Sequence, residues 1–173
     1  MKKSLVCLVA LAMLVGAVVA QDKTPNFSGT WVLDRSQSDP PGGFGAGRGG
    51  GGQMANAEVL LIIEHQEPTL KIKRIIRTEQ GERTQELVYT TDGKENKNPG
   101  MRGAEVKSKS KWEKGKLVTK ASQTIETPQG TVDLEITEIR SLSEDGKTLT
   151  VEITTVTPMG ERKRKEVYVK KEG

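Results

Sequence analysis

C-terminal to residue 57, apolar and polar residues alternate with a period of two, and glycine-bearing turns interrupt the pattern at regular intervals. In EVKSKSKW (105–112), Lys107, Lys109 and Lys111 share one face, and Val106, Ser108, Ser110 and Trp112 the other. In TVDLEITEI (131–139), Val132, Leu134 and Ile136 oppose Asp133, Glu135 and Thr137. In KTLTVEITTV (147–156), Leu149, Val151 and Ile153 oppose Thr150, Glu152 and Thr154. This period gives each strand one buried face and one wet face. The punctuation is EQGE (79–82), TDGK (91–94), EKGK (113–116), EDGK (144–147) and PMGE (158–161). In each, glycine supplies the positive φ of a tight hairpin turn. Strands are predicted over 27–34, 58–66, 69–78, 83–91, 104–113, 116–126, 131–142, 148–157 and 161–170. No long segment has helical periodicity.

A flat sheet of nine long strands would expose two edges and an apolar face. With no helix to cover that face, the sheet closes into a barrel or splits into a sandwich. Near-neighbour connections favour an all-β fold, a single antiparallel up-and-down β-barrel of 8–10 strands. Nine antiparallel strands cannot close, because the first and last run the same way. Either KENKN (94–98) forms a short tenth strand, or one segment bends across two positions.

The N-terminus reads as a secretory signal peptide over residues 1–20. Lys2 and Lys3 start it, an apolar run from Leu5 to Val19 follows, and Val18-Val19-Ala20 forms the cleavage site. The run is shorter than the ~20 residues a spanning helix needs. The leader is bacterial in style, so the expected location is periplasmic or secreted, with cleavage after Ala20. Cys7, the only cysteine, leaves with the leader, so the mature chain cannot use disulfides. Removing Lys2 and Lys3 leaves 25 basic and 23 acidic residues, a net of +2. Both signs interleave along the chain, and no strong field is expected to steer it to nucleic acid or anionic lipid. The folded domain is expected over 26–171, with 38–57 as a flexible Pro/Gly-rich loop; eight of the eleven residues from Gly42 to Gly52 are glycine.

The opening FSGTWVLDRSQS (27–38) resembles the start of the calycins: lipocalins, with Gly-x-Trp, and fatty-acid-binding proteins, which often begin Gly-Thr-Trp. KWEKGKLV (111–118) and residues 143–170 look like the closing hairpins of fatty-acid-binding proteins. The resemblance implies that Trp31 plugs one barrel end beneath a basic side chain, for which Arg140 and Arg164 are candidates, and that Gly29 allows a close neighbour. It also marks two departures. The glycine-rich loop stands where that family has a helical lid. The family's Arg-x-Tyr pair, which holds the ligand carboxylate, reads Glu166-Val167-Tyr168 here. Arg162 and Arg164 share the face of Tyr168 and are possible substitutes.

Small or polar residues occupy expected inner positions: Ser108 and Ser110 on one strand, Leu117, Thr119, Ala121, Gln123 and Ile125 on the next. Buried hydroxyls without partners cost about 1–3 kcal/mol each. They point to a hydrated pocket or to contact with bulk water at a barrel end. The candidate ligand-binding residues are Ser108, Ser110, Trp112, Thr119, Arg164 and Tyr168; Gly29 and Trp31 are structural. A small hydrophobic or amphipathic ligand is the expected partner, with a filled barrel acting as an envelope interaction module the alternative.

Other chemistry finds little support. RGGGG (48–52) is a single copy with only Phe44 nearby to stack on bases, so nucleic-acid binding is not expected. His65 is the only histidine, which argues against a metal site, a cofactor or a catalytic triad, and reads as an exposed strand-end residue. Asp133, Glu135, Glu138 and Glu152 are assigned to wet faces, and no catalytic function is expected. An outer-membrane barrel would place either lysines or serines of 105–112 against lipid, and lysines near the midplane cost ~2–4 kcal/mol each.

Overall fold

The computed structural model describes residues 24–40, 56–100, 103–128 and 130–172. The expected leader and residues 41–55 of the glycine-rich loop lie outside them. Ten strands follow in chain order: β1 (Gly29–Leu33), β2 (Glu58–Gln66), β3 (Thr69–Thr78), β4 (Gly81–Thr90), β5 (Asp92–Pro99), β6 (Glu105–Glu113), β7 (Lys116–Thr127), β8 (Gly130–Leu142), β9 (Thr148–Thr157) and β10 (Gly160–Lys170). They form one sheet in the order β4-β3-β2-β1-β10-β9-β8-β7-β6-β5. Every ladder is antiparallel, and β1 pairs with β10, Trp31 opposite Lys170. The result is an all-β, nearly closed barrel. Among the described residues, no helix is long and apolar enough to cross a membrane.

The tenth strand answers the closure problem, since KENKN lies within β5. TDGK is not a hairpin turn. Its glycine lies in β5 (φ 80°), where the pairing with β6 shifts register between Asp92 and Glu95. The chain turns a corner there, and no backbone ladder joins β4 to β5.

Side chains stitch this seam instead. Asn98, 6% exposed, accepts from Val88 N at 2.8 Å through Oδ1 and donates to Val88 O at 2.9 Å through Nδ2. One carboxamide thereby supplies both the donor and the acceptor that a neighbouring strand would present. Gln85 Nε2 donates to Pro99 O at 3.1 Å, and Asn96 Nδ2 to Thr90 Oγ1 at 3.0 Å. Asn98→Ala is expected to cost about 1–3 kcal/mol, because it leaves Val88 without partners. Amide exchange should then accelerate at Val88 while β9 and β10 stay protected; uniform loss of protection would refute a local seam.

The closed end sits at the 66–69, 113–116 and 143–148 turns. Trp31 and Phe27 are fully buried there, and Trp31 Nε1 donates to Phe27 O at 2.9 Å. Phe27 lies ahead of β1 rather than in it, and stacks on His65 and Trp112 at centroid distances of 5.6 Å each. The plug is therefore two aromatic residues deep. The cation over Trp31 is Lys170, 5.3 Å from the ring centroid, and neither candidate arginine. The β1–β10 register sets this, whereas Arg140 lies 5.2 Å over Tyr89 and Arg164 pairs with Glu166. Gly29 has φ +140°, and a Cβ there would meet Lys170 Cε at 2.8 Å, so the lysine crosses directly over it.

Candidate ligand-binding lumen

The interior is layered along the barrel axis. Next to the plug is a dry core that includes Leu61, Leu70, Leu117, Leu149 and Val151. Above it, the inner stripes turn polar: Arg74 on β3, Tyr89 on β4, Ser110 on β6, Thr119 on β7, Glu138 and Arg140 on β8, Arg164, Glu166 and Tyr168 on β10. Alternation places each on the same face as its apolar neighbours, as in Leu70, Ile72, Arg74 and Ile76.

These groups meet across the barrel. Arg74 Nη2 reaches Glu166 Oε1 at 3.3 Å, although β2 and β1 separate their strands. Arg164 Nη2 holds the same oxygen at 3.1 Å, and Tyr168 OH donates to Glu166 Oε2 at 2.7 Å. On the other wall, Arg140 pairs with Glu138 and donates to Thr119 Oγ1 at 3.4 Å, while Ser110 and Thr119 share a hydrogen bond of 2.8 Å. Burial raises the Tyr89 phenol to about 12, and Glu138 adds to the shift against Arg140. Burial also raises Tyr168, reinforced by Glu166. Burial alone would lower Arg74, but attraction to Glu166, Tyr168 and Glu138 outweighs it and holds the charge in place. Guanidinium and carboxylate groups thus share one belt.

Around the belt, Ile76, Leu87 and Ile153 point inward yet remain partly exposed, and Ile153 is the direct cross-strand neighbour of both Arg164 and Glu138. They lie on β3, β4 and β9. The opposite wall is covered. A Cβ at Gly100 would meet Gln123 Nε2 at 2.5 Å and Val106 Cγ2 at 2.7 Å, so the chain after β5 folds onto that wall. Strand spacing puts the belt roughly 13 Å below the 157–160 turn, four residues up β10 from Arg164 to Gly160.

The residues singled out from sequence are thereby sorted. Arg164 and Tyr168 join the belt through Glu166. Ser110 and Thr119 bond to each other. Ser108 is 2% exposed and its Oγ has no partner among the described residues, so it is sealed in the wall. Trp112 is at the closed end, where its Nε1 donates to Glu67 Oε1 at 2.8 Å. Glu138 is on the inner face, not the wet one, since it shares the parity of Leu134 and Arg140. Arg74, Glu166, Arg140 and Tyr89 were missed as site residues. Their signal was present as charges or a phenol interrupting an otherwise apolar inner stripe.

His65 is buried, not exposed. Phe27 N donates to its Nδ1 at 3.2 Å, which leaves the proton on Nε2, 3.0 Å from Glu67 Oε1. Glu67 also accepts from Thr91 Oγ1. Partial burial alone would raise the Glu67 pKa, but the bonds from Thr91, Trp112 and His65 together pull it below the usual glutamate value. A depressed carboxylate contributes stability above its unfolded pKa and loses it as pH falls through the folded one. Glu67→Gln should therefore be less stable than the parent at neutral pH, and the difference should shrink once pH drops below about 4. Denaturant midpoints of both proteins across that range check this; a constant difference would refute it.

Comparison with known proteins agrees with this architecture. No protein-family model matches the sequence, and no curated protein matches it. Solved structures do. Zebrafish ileal bile acid-binding protein, complexed with cholic acid, superimposes with a TM-score of 0.60 at 15% identity, over 84% of this chain and 98% of that one. The fatty-acid-binding protein of Drosophila melanogaster brain gives 0.54 at 18% identity, over 83% and 99%. Secretory abundant heat soluble protein 4 of Ramazzottius varieornatus gives 0.54 at 16%, over 84% and 95%. At these identities the likeness is one of fold.

Proposed function

We propose that this barrel is a carrier for one small anionic amphipathic molecule, and that the chain is exported to the periplasm or beyond. The observation that carries the reading is an unused guanidinium donor in the belt. Among the described residues, the buried Nε of Arg74 has no hydrogen-bond partner, although Nη2 of the same guanidinium reaches Glu166 Oε1 at 3.3 Å. A buried donor left unsatisfied is costly, and an oxygen of a bound anion supplies its acceptor. The apolar part of the ligand then lies along Ile76, Leu87 and Ile153, beside the head group. The barrels of similar fold named for bile acids or fatty acids support the apolar part of this reading. The belt groups are engaged with one another, which suits holding a molecule rather than transforming it.

A fluorescent long-chain carboxylate and its methyl ester test the reading on the mature chain. The acid should bind at least tenfold more tightly, the worth of one charge-assisted hydrogen bond of about 1.5–3 kcal/mol. Arg74→Leu should abolish the preference while leaving ester binding in place. Equal binding of acid and ester would overturn the anionic head. Uptake of neither would overturn the carrier and favour a filled barrel acting through its outer surface. Export is tested by fractionation: the chain should leave the cytoplasm and begin at Gln21.

A further inference from the structure

Acidic and basic residues interleave along the chain, but strand pairing gathers lysines on one outer face. β6 projects Lys107, Lys109 and Lys111 outward, roughly 6.6–6.8 Å apart at two strand residues per step. Its register with β5 sets Lys97 opposite Lys107, and its register with β7 sets Lys109 opposite Lys120. Like charges directly opposite destabilise a sheet. The register offsets part of this cost by setting Glu95 opposite Lys109 and Asp92 opposite Lys111, while Lys107 faces Lys97 on β5 and Ser122 on β7. Lys97 and Lys111 are answered by Glu105 at 3.0 Å and Glu113 at 2.9 Å. Among the described residues, Lys107, Lys109 and Lys120 have no ion-pair partner; each partnered lysine on this face is one of the other two. The exposed lysines border an open depression of about 620 Å³ on β5–β8, shared with Glu95 and Glu135.

We propose that this groove binds a linear polyanion of repeated phosphate groups lying along β6. The proposal is independent of the lumen and its ligand. Lysine is a point charge suited to freely oriented phosphates, whereas planar carboxylates favour the arginine fork, and no arginine borders the groove. A membrane surface fits poorly. The depression is concave, and none of the exposed large apolar side chains, Ile62, Val88, Val156, Met159 and Val169, borders it. Nucleic acid also fits poorly, because no aromatic side chain borders the groove to stack on bases.

The test uses the mature chain and end-labelled inorganic polyphosphate, followed by fluorescence anisotropy. Binding should weaken with salt at a log–log slope of roughly −2 to −3, from about 0.7 per neutralised phosphate at three to four lysines. The double variant Lys109→Gln, Lys120→Gln should lose at least tenfold in affinity and rise in thermal midpoint, since the opposed pair is relieved. Lys163→Gln with Lys165→Gln, on β10, should change neither by a comparable amount. The proposal fails if the parent chain does not bind at low salt, if the groove variant binds as the parent does, or if the groove variant melts lower. It also fails if anionic phosphatidylglycerol vesicles or a single-stranded oligonucleotide bind as tightly as polyphosphate and lose affinity equally in the groove variant.

Discussion

Trp31→Ala is expected to remove about 3–5 kcal/mol of stability, the range for truncating a buried aromatic. Domains of this kind have only about 5–15 kcal/mol in all, so the variant should sit at the margin of folding. The loss has two sources. The indole fills the closed end with no exposed area, so alanine leaves a cavity that Leu61 and Lys170 cannot fill. It also leaves Phe27 O without the Nε1 donor, which loosens the second plug residue. Trp31→Phe should recover part of the packing but not the hydrogen bond, and so fall between parent and alanine. Urea denaturation gives the ranking; a loss below 1 kcal/mol for Trp31→Ala would mean the ring is not a plug.

Glu166→Gln is expected to act in opposite directions on stability and on binding. Glu166 is 7% exposed, and its carboxylate is the shared counter-ion of Arg74 and Arg164. Removing one partner of a buried ion pair costs about 3–5 kcal/mol. Here both arginines keep some contact with solvent, so about 2–3 kcal/mol is the better expectation. Glutamine retains an acceptor for Tyr168 OH, which keeps the local packing. The two guanidiniums, no longer engaged by the protein's own carboxylate, should take up the fluorescent carboxylate about tenfold more tightly or better. Saturating carboxylate should then return much of the lost stability, because a ligand that binds only the folded state stabilises it by mass action. Thermal melts with and without the probe, beside a direct titration, check both signs. Weaker binding in Glu166→Gln would mean that Glu166 helps hold the ligand instead of standing in for it.

The β-class, the closure and nine of the strands were legible because alternation reports a sheet with one face inside. β5 was harder. DGKENKNP has no apolar stripe, since the strand pairs only with β6 and its inward Asn96 and Asn98 serve the seam. The belt was half legible. Parity alone puts Arg74 among Leu70, Ile72 and Ile76, and Glu138 and Arg140 between Leu134 and Leu142. Which of these charges touch depends on the stagger at which the sheet closes, and no local pattern encodes that. The same holds for Lys170 over Trp31, and for the lysines that meet across β5, β6 and β7. His65 misled because a lone polar residue at a strand end is ordinarily wet, whereas here two aromatic rings cover it.

The carboxamide joint at Val88 gives the molecule a preferred direction of failure. Nine ladders make a continuous scroll whose two margins meet between consecutive strands. Under force or heat that line should part first, from the end away from Thr91, as the Asn98–Val88 and Gln85–Pro99 contacts break before any backbone ladder. A crosslink across it would stiffen the whole cylinder more than one placed anywhere else.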